Sequence, residues 1–176
     1  MRSGARESRW ITDEDWADMW RRFTTSAFRL EARPSYWTGD DLVEQYTGGR
    51  PMPVGFNVPW HNRLRVHRQA GRSVQRVRLV DERLTEYQRC QFEWEYPGNV
   101  RSGEDVRVIC SRDEVAAELP RQDFWLFDDS TVVLLHHRDD GPVRREPLDG
   151  DPAEYVRYAE LALAHSTPFR FYPKIG

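Results

Sequence analysis

The stretch Phe124-Trp125-Leu126-Phe127-Asp128-Asp129-Ser130-Thr131-Val132-Val133-Leu134-Leu135 most limits what this chain can become. Two apolar runs, each too short for a helix, flank a tight Asp/Ser cluster, which is the signature of a β-hairpin. The runs are nearly continuous rather than alternating, so both faces of the hairpin are expected to be covered. That places it at the centre of a sheet with helices packed on it. A length of 176 residues supplies core enough for one domain.

Upstream of the hairpin, helix and strand signals alternate. Thr12 can cap a helix whose apolar stripe is Trp16, Met19, Trp20 and Phe23. Residues 27–33 have period two: Phe28, Leu30 and Ala32 face one way, while Arg29, Glu31 and Arg33 face the other. Short helices over 38–47 and 59–70 lead to a strand over Ser73–Val80. On that strand Arg76 and Arg78 share a face opposite Val77 and Leu79. Thr85 and Gln88 form a capping box for a helix to Trp94, and Pro97-Gly98-Asn99 reads as a turn. A strand over 105–110 carries Val106 and Val108 on one face and Asp105 and Arg107 on the other. A brief helix to Leu119 precedes the hairpin. After it come a third antiparallel strand over 143–148 and a helix started by Asp151, Pro152 and Glu154. The order predicts an α+β fold, a single domain over 11–166 with a central mixed or antiparallel sheet and helices packed on it. Residues 1–10 are expected to be flexible and 167–176 to form a surface tail.

Composition narrows the class. The net charge of −3 argues against general nucleic-acid affinity, although Arg63, Arg65, Arg68, Arg72, Arg76 and Arg78 occur with no acidic residue between them. Lys174 is the only lysine among 26 basic residues, a bias that points to a GC-rich, actinobacterial coding source. Two cysteines, and no signal-like or membrane-length apolar run, indicate a reduced, cytoplasmic protein.

No high-specificity catalytic motif is present. His136-His137 beside Asp128 and Asp129 resembles a metal set, but adjacent strand residues point to opposite faces, so the two histidines cannot readily share one ion. The more informative pattern is charge on strand faces: Arg29 and Glu31, Arg76 and Arg78, Asp105 and Arg107. If those faces coincide, an Arg/carboxylate network results, because buried charges must be paired and Arg pairs most easily. Trp94 and Trp125 are the candidate walls. The competing reading is an exposed face with loose ion pairs.

The stretches Ala27-Phe28-Arg29-Leu30-Glu31, Arg76-Val77-Arg78-Leu79-Val80, Glu93-Trp94-Glu95-Tyr96-Pro97, Gly103-Glu104-Asp105-Val106-Arg107-Val108 and Asp123-Phe124-Trp125-Leu126-Phe127-Asp128-Asp129 resemble the actinobacterial DUF6879 family, whose activity is unknown. The resemblance covers 15–166 and implies a genomic setting near helix-turn-helix regulators. The tail is also loosely similar to the end of the phospholipase D-like fold, and to sensor domains attached to such regulators. The H-x-K-x4-D signature of active phospholipase D-like enzymes is absent, since no lysine follows His136 or His137 at the required spacing.

Three functions follow as expectations. The first is a non-enzymatic regulatory or ligand-sensing protein without cofactor, in which Arg29, Arg76, Arg78 and Arg107 take a small anion or an acidic segment of a helix-turn-helix partner. The second is an enzyme acting on a small anionic substrate, with Glu31, Asp105 and Tyr87 as acid and base; it requires those side chains to converge. The third is a nucleic-acid accessory protein, which requires Arg63, Arg65, Arg68 and Arg72 to form one exposed stripe.

Overall fold

A computed structural model describes residues 10–173. The expected flexible start lies outside the described residues apart from Trp10. Among the described residues seven strands form one sheet: β1 (Ser26–Glu31), β2 (Ser73–Val80), β3 (Glu104–Cys110), β4 (Phe124–Phe127), β5 (Thr131–His136), β6 (Arg144–Pro147) and β7 (Thr167–Pro168). Their order is β6-β5-β4-β1-β2-β3-β7. β1, β2 and β3 run parallel, and the other pairings are antiparallel. The fold is therefore a single α+β domain around a mixed sheet.

Parallel neighbours need crossovers, and successive right-handed crossovers in one direction place their helices on the same face. The β1–β2 crossover carries α2 (Leu42–Thr47) and α3 (Val58–Gln69). The β2–β3 crossover carries α4 (Glu86–Cys90), a π-helical segment (Gln91–Glu95) and α5 (Tyr96–Ser102). The leading helix α1 (Asp13–Arg22) joins this face, capped by Thr12 as its sequence predicts. Trp20, Phe23, Leu64, Val74, Trp125 and Phe127 form the apolar core there. The opposite face is covered by α6 (Ala153–His165), whose Ala159 and Ala162 pack with Phe28, Leu30, Val77 and Ile109.

Two expectations need correction. The hairpin β4–β5 is buried on both faces of β4, but the middle of the sheet is β1, which pairs with β2 on one side and β4 on the other. Alternating charge gives β1 the pattern of a half-exposed strand, yet its polar face is covered too. Pro97-Gly98-Asn99 is not a turn: these residues lie inside α5, with Pro97 in its first turn, where a missing N–H costs nothing. The wider π-turn just before Pro97 carries the chain into that helix. Residues 167–173 lie along the surface and are anchored there. Thr167 and Pro168 pair with Val108 and Arg107 of β3, and Phe169 packs against Phe92 and Tyr96.

The hairpin turn has a second job. The loop between the paired Phe127 and Thr131 has three residues; Asp128 and Asp129 both adopt φ +51°, and the Ser130 N–H donates to the Phe127 carbonyl at 3.0 Å. The Asp128 carboxylate then accepts from the backbone N–H groups of Thr24 (2.8 Å), Thr25 (2.7 Å) and Ser26 (3.1 Å), and from both threonine hydroxyls. Burial raises its pKa, but the backbone donors outweigh that and hold the carboxyl well below the usual carboxylate range. The turn thereby fastens the start of β1. Asp128→Ala is expected to cost about 1–3 kcal/mol through the stranded N–H groups, read as a lower urea midpoint at unchanged slope.

Candidate functional site

The charged face of β1 and β2 is the floor of a cavity of about 500 Å³. Period two sets its residues. Glu31 stands beside Arg29 on β1, Arg76 and Arg78 follow on β2, and Glu104 opens β3 on the same face. Arg76 lies between two carboxylates: its Nη1 donates to Glu31 at 2.5 Å and its Nε to Glu104 at 2.8 Å. Arg29 approaches Glu31 at 3.2 Å and Arg78 at 3.9 Å, and the Tyr96 hydroxyl donates to Glu31 at 2.8 Å. Trp60 Nε1 donates to Glu104 at 3.2 Å. Arg78 is fully buried, and it donates to the Arg33 carbonyl and the Tyr36 hydroxyl.

This arrangement sets the protonation states. Burial raises the Glu31 carboxyl, but Arg76, Arg29 and Arg78 together with the Tyr96 hydrogen bond overcome it and hold Glu31 ionised well below the ordinary range. Burial works against the charge on Arg76, and Glu104 and Glu31 more than restore it. Glu95 goes the other way: burial raises its carboxyl, Arg76 offsets part of this, and Glu31 and Glu104 push it further up. Tyr87, on the same wall, is raised mainly by burial, then by Glu95 and Glu31.

The walls above this floor are aromatic. Trp16, Trp20, Trp60 and Trp125 line one side, and their rings meet edge to face. Tyr36, Trp37 and Asn57, from the connection between β1 and α3, line the other. That connection is pinned: the Tyr36 hydroxyl donates to Asp123 at 2.5 Å, and His137, also on the wall, lies 3.1 Å from the same carboxylate oxygen. Five arginines and two glutamates line the cavity, and Glu104, just behind the lining, takes part of the charge of Arg76. Arg138 and Arg145 at the rim pair with Asp140 and Asp13. Among the described residues Arg63 contacts no carboxylate; its guanidinium lies over Trp20 and Trp60 at 5.4 and 5.8 Å.

Of the expected site residues, Arg29, Glu31, Arg76, Arg78 and Trp125 meet here, with the Arg29 guanidinium 5.6 Å from the Trp125 ring. Asp105 and Arg107 do not. Glu104 takes the inward position on β3, so its neighbour Asp105 points to the opposite face, 46% exposed. Arg107 bonds Ser166 at the end of α6. The acid–base set Glu31/Asp105 is thus not assembled. Trp94 also turns away and packs on Tyr46 and Phe56 instead of the cavity. Of the arginines expected to form a stripe, Arg63, Arg65 and Arg68 are exposed and Arg72 is half-buried; Arg63 lies over Trp20 and Arg72 over Phe23. Sequence reasoning missed Glu104, Glu95, Tyr36 and Trp60. Glu104 was within reach, since it sits two residues before Val106 on one face; the others arrive on helices and a loop that carry no such period.

The model of the domain of unknown function DUF6879 matches residues 14–174. The chain belongs to the DUF6879 family. The match spans the floor and walls of the cavity, so the site lies within the family's domain and not on an appendage. No curated protein matches this DUF6879 chain. Among the described residues no helix is long and apolar enough to cross a membrane.

Proposed function

We propose that this DUF6879 protein is a non-enzymatic, cytoplasmic sensor of a small anionic ligand bearing a flat apolar group. The observation that carries it is Arg29 and Arg63 lining one cavity walled by tryptophans, with Arg63 matched by no carboxylate among the described residues. Arg29 is 18% exposed on its side chain, and its buried Nε has no hydrogen-bond partner among the described residues. Arg76 is taken up by Glu31 and Glu104, and Arg78 lies beneath the floor without lining the cavity, its Nε and Nη2 lacking hydrogen-bond partners among the described residues. Guanidinium pairs grip carboxylates and phosphates in two-pronged fashion, and indole faces supply apolar area at little entropic cost. A cavity of about 500 Å³ is of the size that holds a small molecule.

The test is titration calorimetry with benzoate and indole-3-propionate. Both are expected to bind the wild type, and Arg63→Met should weaken them at least tenfold at little cost in Tm, whereas Arg29→Met should weaken them and also lower Tm by removing a partner of Glu31. Equal binding by both variants would overturn the site.

A protein partner is the second reading. Trp37, at the cavity wall, and Met52, Val54 and Val58, further along the same connection, are exposed. An acidic segment of a helix-turn-helix regulator would set carboxylates on the arginines and apolar side chains on this patch. Co-purification of such a regulator with the wild type, and its loss with Arg63→Met, would favour this reading.

A further inference from the structure

The cavity also holds acceptors that an anion does not use. Glu95 lines it with its side chain 22% exposed. Arg76 Nη1 stands 3.8 Å away, and the Gln91 amide donates to Glu95 at 3.3 Å. Arg76 makes its shorter contacts to Glu31 and Glu104, so Glu95 is the third claimant on one guanidinium. Gln91, four residues earlier in the π-helical segment, lines the same cavity and is only 4% exposed. Its Oε1 accepts no hydrogen bond among the described residues. A buried amide oxygen without a donor is costly, and so is a carboxylate with a loose partner. Both deficits disappear if a group rich in N–H donors arrives with positive charge.

Charge alternates along the floor: Arg29, Glu31, Arg76, Glu95. The positive end carries the Arg29 guanidinium, which is partly exposed and shares Glu31, and the negative end carries Glu95 with Gln91. The tryptophan wall runs beside them. A molecule matching this order has an anionic group, a cationic amine and a flat ring.

Building on the anion-site reading above, we propose that the ligand class is zwitterionic: an aromatic α-amino acid or a close relative. Its carboxylate sits on Arg29 and Arg63, its ammonium on Glu95 and Gln91 Oε1, and its ring between the indoles. The raised carboxyl of Glu95 fits this assignment, because an arriving ammonium offsets the push of burial, Glu31 and Glu104.

The test uses the whole chain and three probes at neutral pH: tryptophan, indole-3-propionate, which lacks the amine, and tryptamine, which lacks the carboxylate. Calorimetry is expected to give tryptophan at least tenfold tighter binding than either of the others. Glu95→Gln should bring tryptophan down to the level of indole-3-propionate and leave indole-3-propionate unchanged. Gln91→Leu should shift tryptophan in the same sense, which covers the case in which one variant folds poorly. If indole-3-propionate binds as tightly as tryptophan, and neither variant separates them, the amine subsite is wrong while the anion site stands. If none of the three binds, both readings fall.

Discussion

Replacing Glu31 with glutamine is expected to cost about 3–5 kcal/mol of folding stability, because removing one partner of a buried ion pair leaves the other charge uncompensated. Here one carboxylate is shared among Arg76, Arg29 and Arg78, and Arg78 is fully buried. Glutamine keeps the shape and the Tyr96 contact but removes the charge. Equilibrium urea unfolding should show a fall in midpoint of this order, and a loss below about 1 kcal/mol would mean that Glu104 alone neutralises the cluster. The same carboxylate sets a pH dependence. Its folded pKa is depressed, so its contribution is complete above the unfolded carboxylate value of about 4.3 and is lost progressively as pH falls below it. Wild-type stability should therefore drop on acidification from about pH 5, and Glu31→Gln should flatten that slope.

The second large effect is expected at Trp20. Trp20→Ala should cost about 3–5 kcal/mol, the range for deleting a large aromatic from a core. The indole is 3% exposed and meets Trp16, Phe23, Trp60, His67, Trp125 and Phe127. It ties α1 and α3 to β4. Its loss also opens the cavity wall, so indole-3-propionate should bind more weakly even where the variant remains folded. Differential scanning calorimetry gives the first quantity and titration the second. A variant with wild-type Tm would show that the surrounding rings collapse into the gap.

These two positions differ in how visible they were. Trp20 belongs to a stripe with Trp16, Met19 and Phe23 at helical spacing, capped by Thr12, and each of these signals is local. The same holds for Ser73–Val80 and for the hairpin turn, where Asp128 and Asp129 are residues that tolerate the φ > 0 they adopt. Glu31 was legible as a residue on a strand face with Arg29, but not as the hub of a buried network. That depends on β2 lying parallel to β1 in a register that sets Arg76 and Arg78 beside it, and on α5 bringing the Tyr96 hydroxyl down from above.

From the amino-acid order alone came the α+β class, most of the helices and strands, and the alternation that puts Arg29 with Glu31 and Arg76 with Arg78. Tertiary structure decided the rest: β1 in the middle of the sheet, Glu104 facing inward instead of Asp105, Trp94 turned away, and Arg63 drawn over the indoles. The reason is range. Caps, turns and periodicity act over a few residues, whereas the ion pairs of the floor join residues 28 and 45 apart in sequence, and only strand pairing brings those together.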